Sequence, residues 1–139
     1  TSDEMVQNLD YAQTFLEAAT IEAPSDMQGE SLIPLLKGNN SEWTRESVYY
    51  HYYEYPSVHM VKRHYGIVNK DFKLVHFYYD VDEWELYDRK NDPNEMKNVY
   101  NDPNYKEIVK ELTIELYELR KKYKDSKELD QKFLPNEKK

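Results

Sequence analysis

The 139-residue chain has no cysteine and only three glycines. It also has no apolar run approaching the ~18 residues needed to cross a bilayer. Without cysteine, a disulfide framework, a thiolate metal site and a cysteine nucleophile are all excluded from this segment. Cationic charge is in short supply as well. Nineteen Lys and Arg face 27 Asp and Glu, giving a net charge of −8. That balance argues against a nucleic-acid backbone or an anionic membrane surface as partner. No basic-then-apolar pattern opens the sequence, and Thr1 reads as a cut within a longer precursor, so the compartment stays open. There is no strand-turn-helix nucleophile elbow around any serine and no glycine-rich phosphate loop. No catalytic residue can be assigned from what remains.

Tyrosine is abundant. Of fourteen, eight lie between Tyr49 and Tyr79, a density that suits a half-buried sheet whose hydroxyls reach water or a polar ligand. Upstream of that stretch, Val6, Leu9, Ala12, Leu16 and Ala19 recur at three- and four-residue steps and predict a helix over 5–19 with one apolar face. Ala23-Pro24-Ser25-Asp26 breaks it, and the stretch Gly38-Asn39-Asn40-Ser41 marks a boundary before the aromatic region. Period-two alternation predicts strands over Glu46–Tyr53, Phe72–Tyr79 and Glu83–Arg89, with a shorter one near Tyr65–Asn69. Their linkers are short enough for an antiparallel meander.

Asn-Asp-Pro-Asn occurs at 91–94 and again at 101–104, each time predicting an aspartate-capped helix with proline at its first position. After the second, Tyr105, Ile108, Val109, Leu112, Leu116, Leu119 and Tyr123 form an apolar stripe that should lie on one face of the sheet. The polar tail beyond Lys124 should fray, with Leu129, Phe133 and Leu134 docking loosely. The fold class is therefore α+β: a small antiparallel meander of about four strands packed by a long C-terminal helix and preceded by another helix.

All four histidines, His51, His59, His64 and His76, fall in the tyrosine-rich half. Zinc is the first ligand to consider, since imidazole binds it well. No pair has the helical i, i+4 spacing, and neither cysteine nor clustered carboxylates complete a set, so no metal site is assigned. The acidic turn Asp80, Asp82, Glu83 lacks the twelve-residue calcium-loop pattern and reads as a solvated hairpin turn. His76 reads as structural. A ligand-contact role suits His51, His59 and His64 better, because Glu54-Tyr55-Pro56-Ser57-Val58 forms a loop that could gather them at one rim. Tyr49, Tyr50, Tyr52, Tyr53 and Tyr55 could stack on a sugar, with core packing accounting for about half of the cluster.

Three segments taken together resemble the carboxy-terminal third of type I, formylglycine-dependent sulfatases of the alkaline phosphatase superfamily. The first runs from Asn8-Leu9-Asp10-Tyr11-Ala12 through Ala23-Pro24 to Met27-Gln28-Gly29-Glu30-Ser31-Leu32-Ile33-Pro34-Leu35-Leu36. The second is Tyr65-Gly66-Ile67-Val68 with Phe72-Lys73-Leu74-Val75. The third is Glu85-Leu86-Tyr87-Asp88 with Asp92-Pro93-Asn94-Glu95 and Asn98. Three departures stand out: Gln13 where the family commonly has proline, Thr20 where it has glycine, and Val68-Asn69 where Arg-Thr is usual.

The resemblance implies that residues 1–40 are the tail end of an α/β catalytic domain, 41–125 a C-terminal subdomain and 126–139 a polar tail. For the intact parent it implies hydrolysis of sulfate esters, on sulfated glycans such as glycosaminoglycans, with calcium and formylglycine as cofactors. This chain has no Cys/Ser-x-Pro-x-Arg motif to supply formylglycine and none of the family's calcium pairs, so on its own it is expected to be inactive. Its expected contribution is to the substrate rim, through His51, Tyr55, His59, Arg63 and His64. These side chains can hydrogen-bond the hydroxyl and anionic groups of a sulfated sugar or pack on its ring.

The implied partners are a sulfated carbohydrate and the N-terminal catalytic domain, with no nucleic acid and no membrane. The helix over 5–19, uncovered, is a candidate for self-association, and a clean monomer by light scattering at high concentration would count against that. Periplasmic or secreted localisation is likewise suggested by the resemblance. Two alternatives stay open: a stand-alone glycan-binding or protein-interaction module, and part of a related phosphatase or phosphonate hydrolase.

Overall fold

The structure is a computed structural model that describes residues 1–132 and 134. Phe133, expected to dock beside Leu129 and Leu134, lies outside the described residues. The chain divides into two compact units, Thr1–Val48 and Tyr49–Lys139.

In the first unit, helix α1 spans Asp10–Ala18 and the short α2 spans Ile33–Leu36. The helix expected over 5–19 is thus shorter, and its buried face is not the apolar one. Asp10, Gln13 and Thr14 are buried, whereas Val6, Leu9 and Phe15 are exposed. Polar side chains on α1 satisfy the backbone of the connector that follows. Asp10 accepts from the amides of Gln7 at 2.7 Å and Glu30 at 2.9 Å. The Gln13 amide donates to the Gly29 carbonyl at 2.6 Å, and Thr14 Oγ1 accepts from Leu32 N at 2.8 Å. Arg45 then closes on Asp10 with both guanidinium nitrogens, at 2.5 and 2.8 Å. Gly29 is required here because a Cβ would sit 2.4 Å from the Leu9 carbonyl oxygen.

The second unit holds a four-stranded sheet in the order β1-β2-β3-β4, with β1 Ser47–Tyr52 beginning at the junction of the units, then β2 His64–Asn69, β3 Phe72–Phe77 and β4 Glu83–Asp88. Strands β2, β3 and β4 pair antiparallel, with Ile67 opposite Leu74 and Leu74 opposite Leu86. All three of these side chains are fully buried. Period-two alternation sends Tyr65, Ile67, Leu74, His76 and Leu86 to one face, where Leu112 and Leu116 of helix α3, Lys106–Lys122, complete the core. Asp102 caps the 3₁₀ turn that leads into α3 by accepting from Asn104 N at 3.0 Å.

The other Asn-Asp-Pro-Asn, expected to start a helix, does not. Asp92 instead closes a turn, accepting from Glu95 N through its carbonyl and from Lys97 N through Oδ2 at 2.8 Å, while Glu95 adopts φ +52°. The chain then runs without regular structure to Asn98, whose Oδ1 accepts from Leu86 N at 3.0 Å, and Val99 N bonds the Leu86 carbonyl. This segment covers the open edge of β4, so a helix there would leave that edge bare. Residues 127–132 of the polar tail form helix α4, Lys127–Lys132.

Candidate functional site

Five residues were singled out as rim candidates, and their positions follow from strand alternation. Tyr49, His51 and Tyr53 share the face that meets α3. Tyr50 and Tyr52 occupy the other face, where they contact His64 at ring distances of 5.7 and 5.4 Å. His51 and His64 therefore lie on opposite faces of the sheet. Between them runs the loop joining β1 to β2. Tyr55 is half-buried at its base and His59 is exposed near its tip, with Val58 and Met60 exposed beside it. Arg63 is buried at the loop's return. Its Nη2 donates to the Tyr55 carbonyl, its Nη1 meets Asp80 Oδ2 at 3.0 Å, and its guanidinium lies 5.6 Å from the Tyr55 ring and 5.7 Å from that of Tyr79. Tyr55 and Arg63 are thus brought together. His64 turns away, with its Nδ1 on the Lys62 carbonyl at 2.8 Å.

His51 is the hub of a network that the sequence did not suggest. Its Nδ1 lies 2.8 Å from Asp125 and its Nε2 lies 2.7 Å from the Tyr78 hydroxyl. Tyr49 also donates to Asp125. Arg120, in the last turn of α3, bonds Asp130 of α4 at 2.8 and 2.9 Å, approaches Asp125 at 3.3 Å, and lies over the Tyr65 ring at 3.8 Å. Burial lowers the His51 pKa below its ordinary value despite the carboxylate beside it. This fits a neutral ring that donates from Nδ1 and accepts at Nε2. Asp125 is also buried, which alone would raise its pKa, but hydrogen bonds from Tyr49 and His51 and the nearby Arg120 pull it below the usual carboxylate range. The only hint in the sequence is that Arg120 is the one arginine in a helix end otherwise built from lysines, at a place where planar, multidentate pairing is needed.

Among the described residues, His51, Asp125 and Asp130 offer donor atoms within 4.8 Å of one another. The place of a cation is taken by Arg120, so the set does not fit a resident metal such as calcium. Beside this network, Tyr65, His76, Tyr78, Tyr79, Asp130 and Lys127 wall a cavity of about 500 Å³. His76 is fixed by the Tyr65 hydroxyl at 2.7 Å and by Asp82 at 2.8 Å, and it stacks on Trp84.

The residues that carried the sequence resemblance are now accounted for as structural ones: Asp10 and Gly29 around α1, Asn98 along β4. The family described as N-sulphoglucosamine sulphohydrolase, C-terminal, matches residues 1–122. The chain belongs to this family. N-acetylglucosamine-6-O-sulfatase of Bacteroides thetaiotaomicron is 52% identical over 129 residues, covering 91% of this chain and 23% of that protein. Delta 4,5-hexuronate-2-O-sulfatase of the same organism is 35% identical over 112 residues, covering 74% and 21%. A solved structure of a protein in complex with its substrate D-glucosamine-2-N,6-O-disulfate superimposes with a TM-score of 0.80 at 53% identity, over 85% of this chain and 24% of that one. The chain thus corresponds to the C-terminal portion of a sulfatase and spans under a quarter of the length of these relatives.

Proposed function

We propose that this chain is the substrate-facing C-terminal portion of a sulfatase that removes a 6-O-sulfate from glucosamine units of a glycosaminoglycan. The supporting observation is the 52% identity to a 6-O-sulfatase, sustained over 129 residues. A second relative of the chain acts at a different sulfate position, but its identity is lower, at 35%. In the intact enzyme, formylglycine and calcium would supply the chemistry of ester cleavage, and on this reading both are held outside this chain. Its own work is recognition. On this reading Tyr55 and His59 contact the sugar from the loop joining β1 to β2. Arg63, buried between Asp80 and the Tyr55 carbonyl, positions that loop. His51 and His64, engaged on opposite faces, brace the two strands that carry it.

The exposed apolar side chains Val6, Leu9 and Phe15 would be covered by the catalytic domain. On the family resemblance alone, the protein belongs in the periplasm or outside the cell, which fractionation tests. The reading of the loop is tested in the longer enzyme. His59→Ala should raise KM for a glucosamine 6-O-sulfate by roughly three- to tenfold, the worth of one hydrogen bond, with kcat retained. An unchanged KM would remove His59 from the rim.

A further inference from the structure

The chain carries a net charge of −8, yet one cavity reverses that sign. A hollow of about 340 Å³ between the end of α3 and the start of α4 is walled by Arg120, Lys121, Lys124 and Lys127, with Asp125 as its one carboxylate. Arg120 is already paired with Asp130 and Asp125, and Asp125 is further engaged by Tyr49 and His51, which leaves the positive charge of Lys121, Lys124 and Lys127 in excess. Lysines near the end of α3 complement the helix dipole. The dipole does not explain Lys127, which opens the next helix, nor the state of Arg120. That side chain is 3% exposed, and its Nη1 has no hydrogen-bond partner among the described residues. A buried guanidinium nitrogen without an acceptor is costly, and Arg120 bears that cost at the floor of the hollow.

Lys127 also borders the larger cavity containing Tyr65, Tyr78 and Tyr79. There Tyr79 is 49% exposed. A basic hollow and an aromatic one therefore meet at a single lysine. Aromatic faces pack on pyranose rings, and clustered ammonium and guanidinium groups bind sulfate.

We propose that this composite groove binds a sulfated oligosaccharide, with one sulfate among Lys121, Lys124 and Lys127 and the adjoining sugar ring on the exposed Tyr79. The choice of a sulfated saccharide over another oxyanion rests on the function proposed above. The site would let the protein hold a polymeric substrate through contacts additional to those of the loop joining β1 to β2.

The test is direct titration of the 139-residue chain with a heparin-derived tetrasaccharide, followed by amide chemical shifts and calorimetry. Saturable binding is expected, weakening as salt rises, with shifts at Lys127 and Tyr79. Lys121→Ala, Lys124→Ala and Lys127→Ala combined should weaken it at least tenfold, and the corresponding triple arginine variant should retain it, which separates charge from folding. Inorganic phosphate binding as tightly as the tetrasaccharide would overturn the saccharide assignment. Equal affinity for the desulfated tetrasaccharide, or an unchanged affinity in the triple alanine variant, would overturn the site. Turnover by the longer enzyme is a separate readout: its absence with binding intact would refute the sulfatase reading and leave the groove standing.

Discussion

Thr20 follows the C-cap of α1 at φ +59°, with its amide on the Glu17 carbonyl and the next amide, of Ile21, on that of Leu16. This pair of bonds is the Schellman closure, whose left-handed residue is most often glycine. A β-branched side chain there is strained by about 1 kcal/mol. Thr20→Gly should accordingly raise the melting temperature, as read by thermal denaturation. The departure from the family's glycine is therefore a local cost at one residue with no change in topology. Gln13, in place of a proline, gains the bond to Gly29 in exchange. At the same scale, His51 sets a pH dependence. Its folded pKa lies below the ordinary 6.5, so as pH falls through that value the unfolded chain takes up a proton that the folded chain refuses. Stability is then complete above about pH 6.5 and declines on acidification, by at most about 1.4 kcal/mol per pH unit for one proton. Asp10 and Asp125, both lowered below 3.8, add a further loss only at stronger acidity. A melting series from about pH 8 to about pH 2 should show both stages. His51→Gln should flatten the first stage and leave the second, while a first stage of unchanged slope would exclude His51 as its source.

At the level of elements, the strands and α3 were legible because each has an unbroken period: two for β1 to β4, three and four for the stripe ending at Tyr123. Both periods reflect one core, which buries Ile67, Leu74, Leu86, Leu112 and Leu116. The two Asn-Asp-Pro-Asn stretches were indistinguishable by capping chemistry, and tertiary demand separated them. After Asp102 an apolar stripe is available to pack on the sheet; after Asp92 the edge of β4 needs covering instead. Asn98 does this with a single side chain, accepting from the amides of both Leu86 and Tyr100 at 3.0 Å. Asn98→Ala should cost about 1–3 kcal/mol by stranding the Leu86 amide, measured by urea denaturation, and amide exchange at Leu86 should accelerate. The apolar periodicity around α1 predicted a helix correctly but the wrong buried face, because its partner within Thr1–Val48 is a connector whose amides need oxygen acceptors. The Arg120 network left no local trace beyond that one arginine: His51, Arg120, Asp125 and Asp130 come from a strand, a helix end and the tail, and only the fold brings them together.

Over the whole molecule, the family to which the chain belongs is defined on the C-terminal part of a sulphohydrolase, and the function proposed above assigns the chemistry of ester cleavage to the rest of the longer enzyme. What the chain does hold is an aromatic sheet, an exposed loop anchored by Arg63 and a basic hollow in a chain of net charge −8. On the reading proposed above, these are its means of recognising a sulfated sugar. The most direct test is sulfate release from glucosamine 6-O-sulfate, assayed in parallel with the 139-residue chain and with the longer protein that includes it. The account predicts release by the longer protein alone. Turnover by the chain itself, or none by the longer protein with this and other sulfated glycosaminoglycan units, would contradict it.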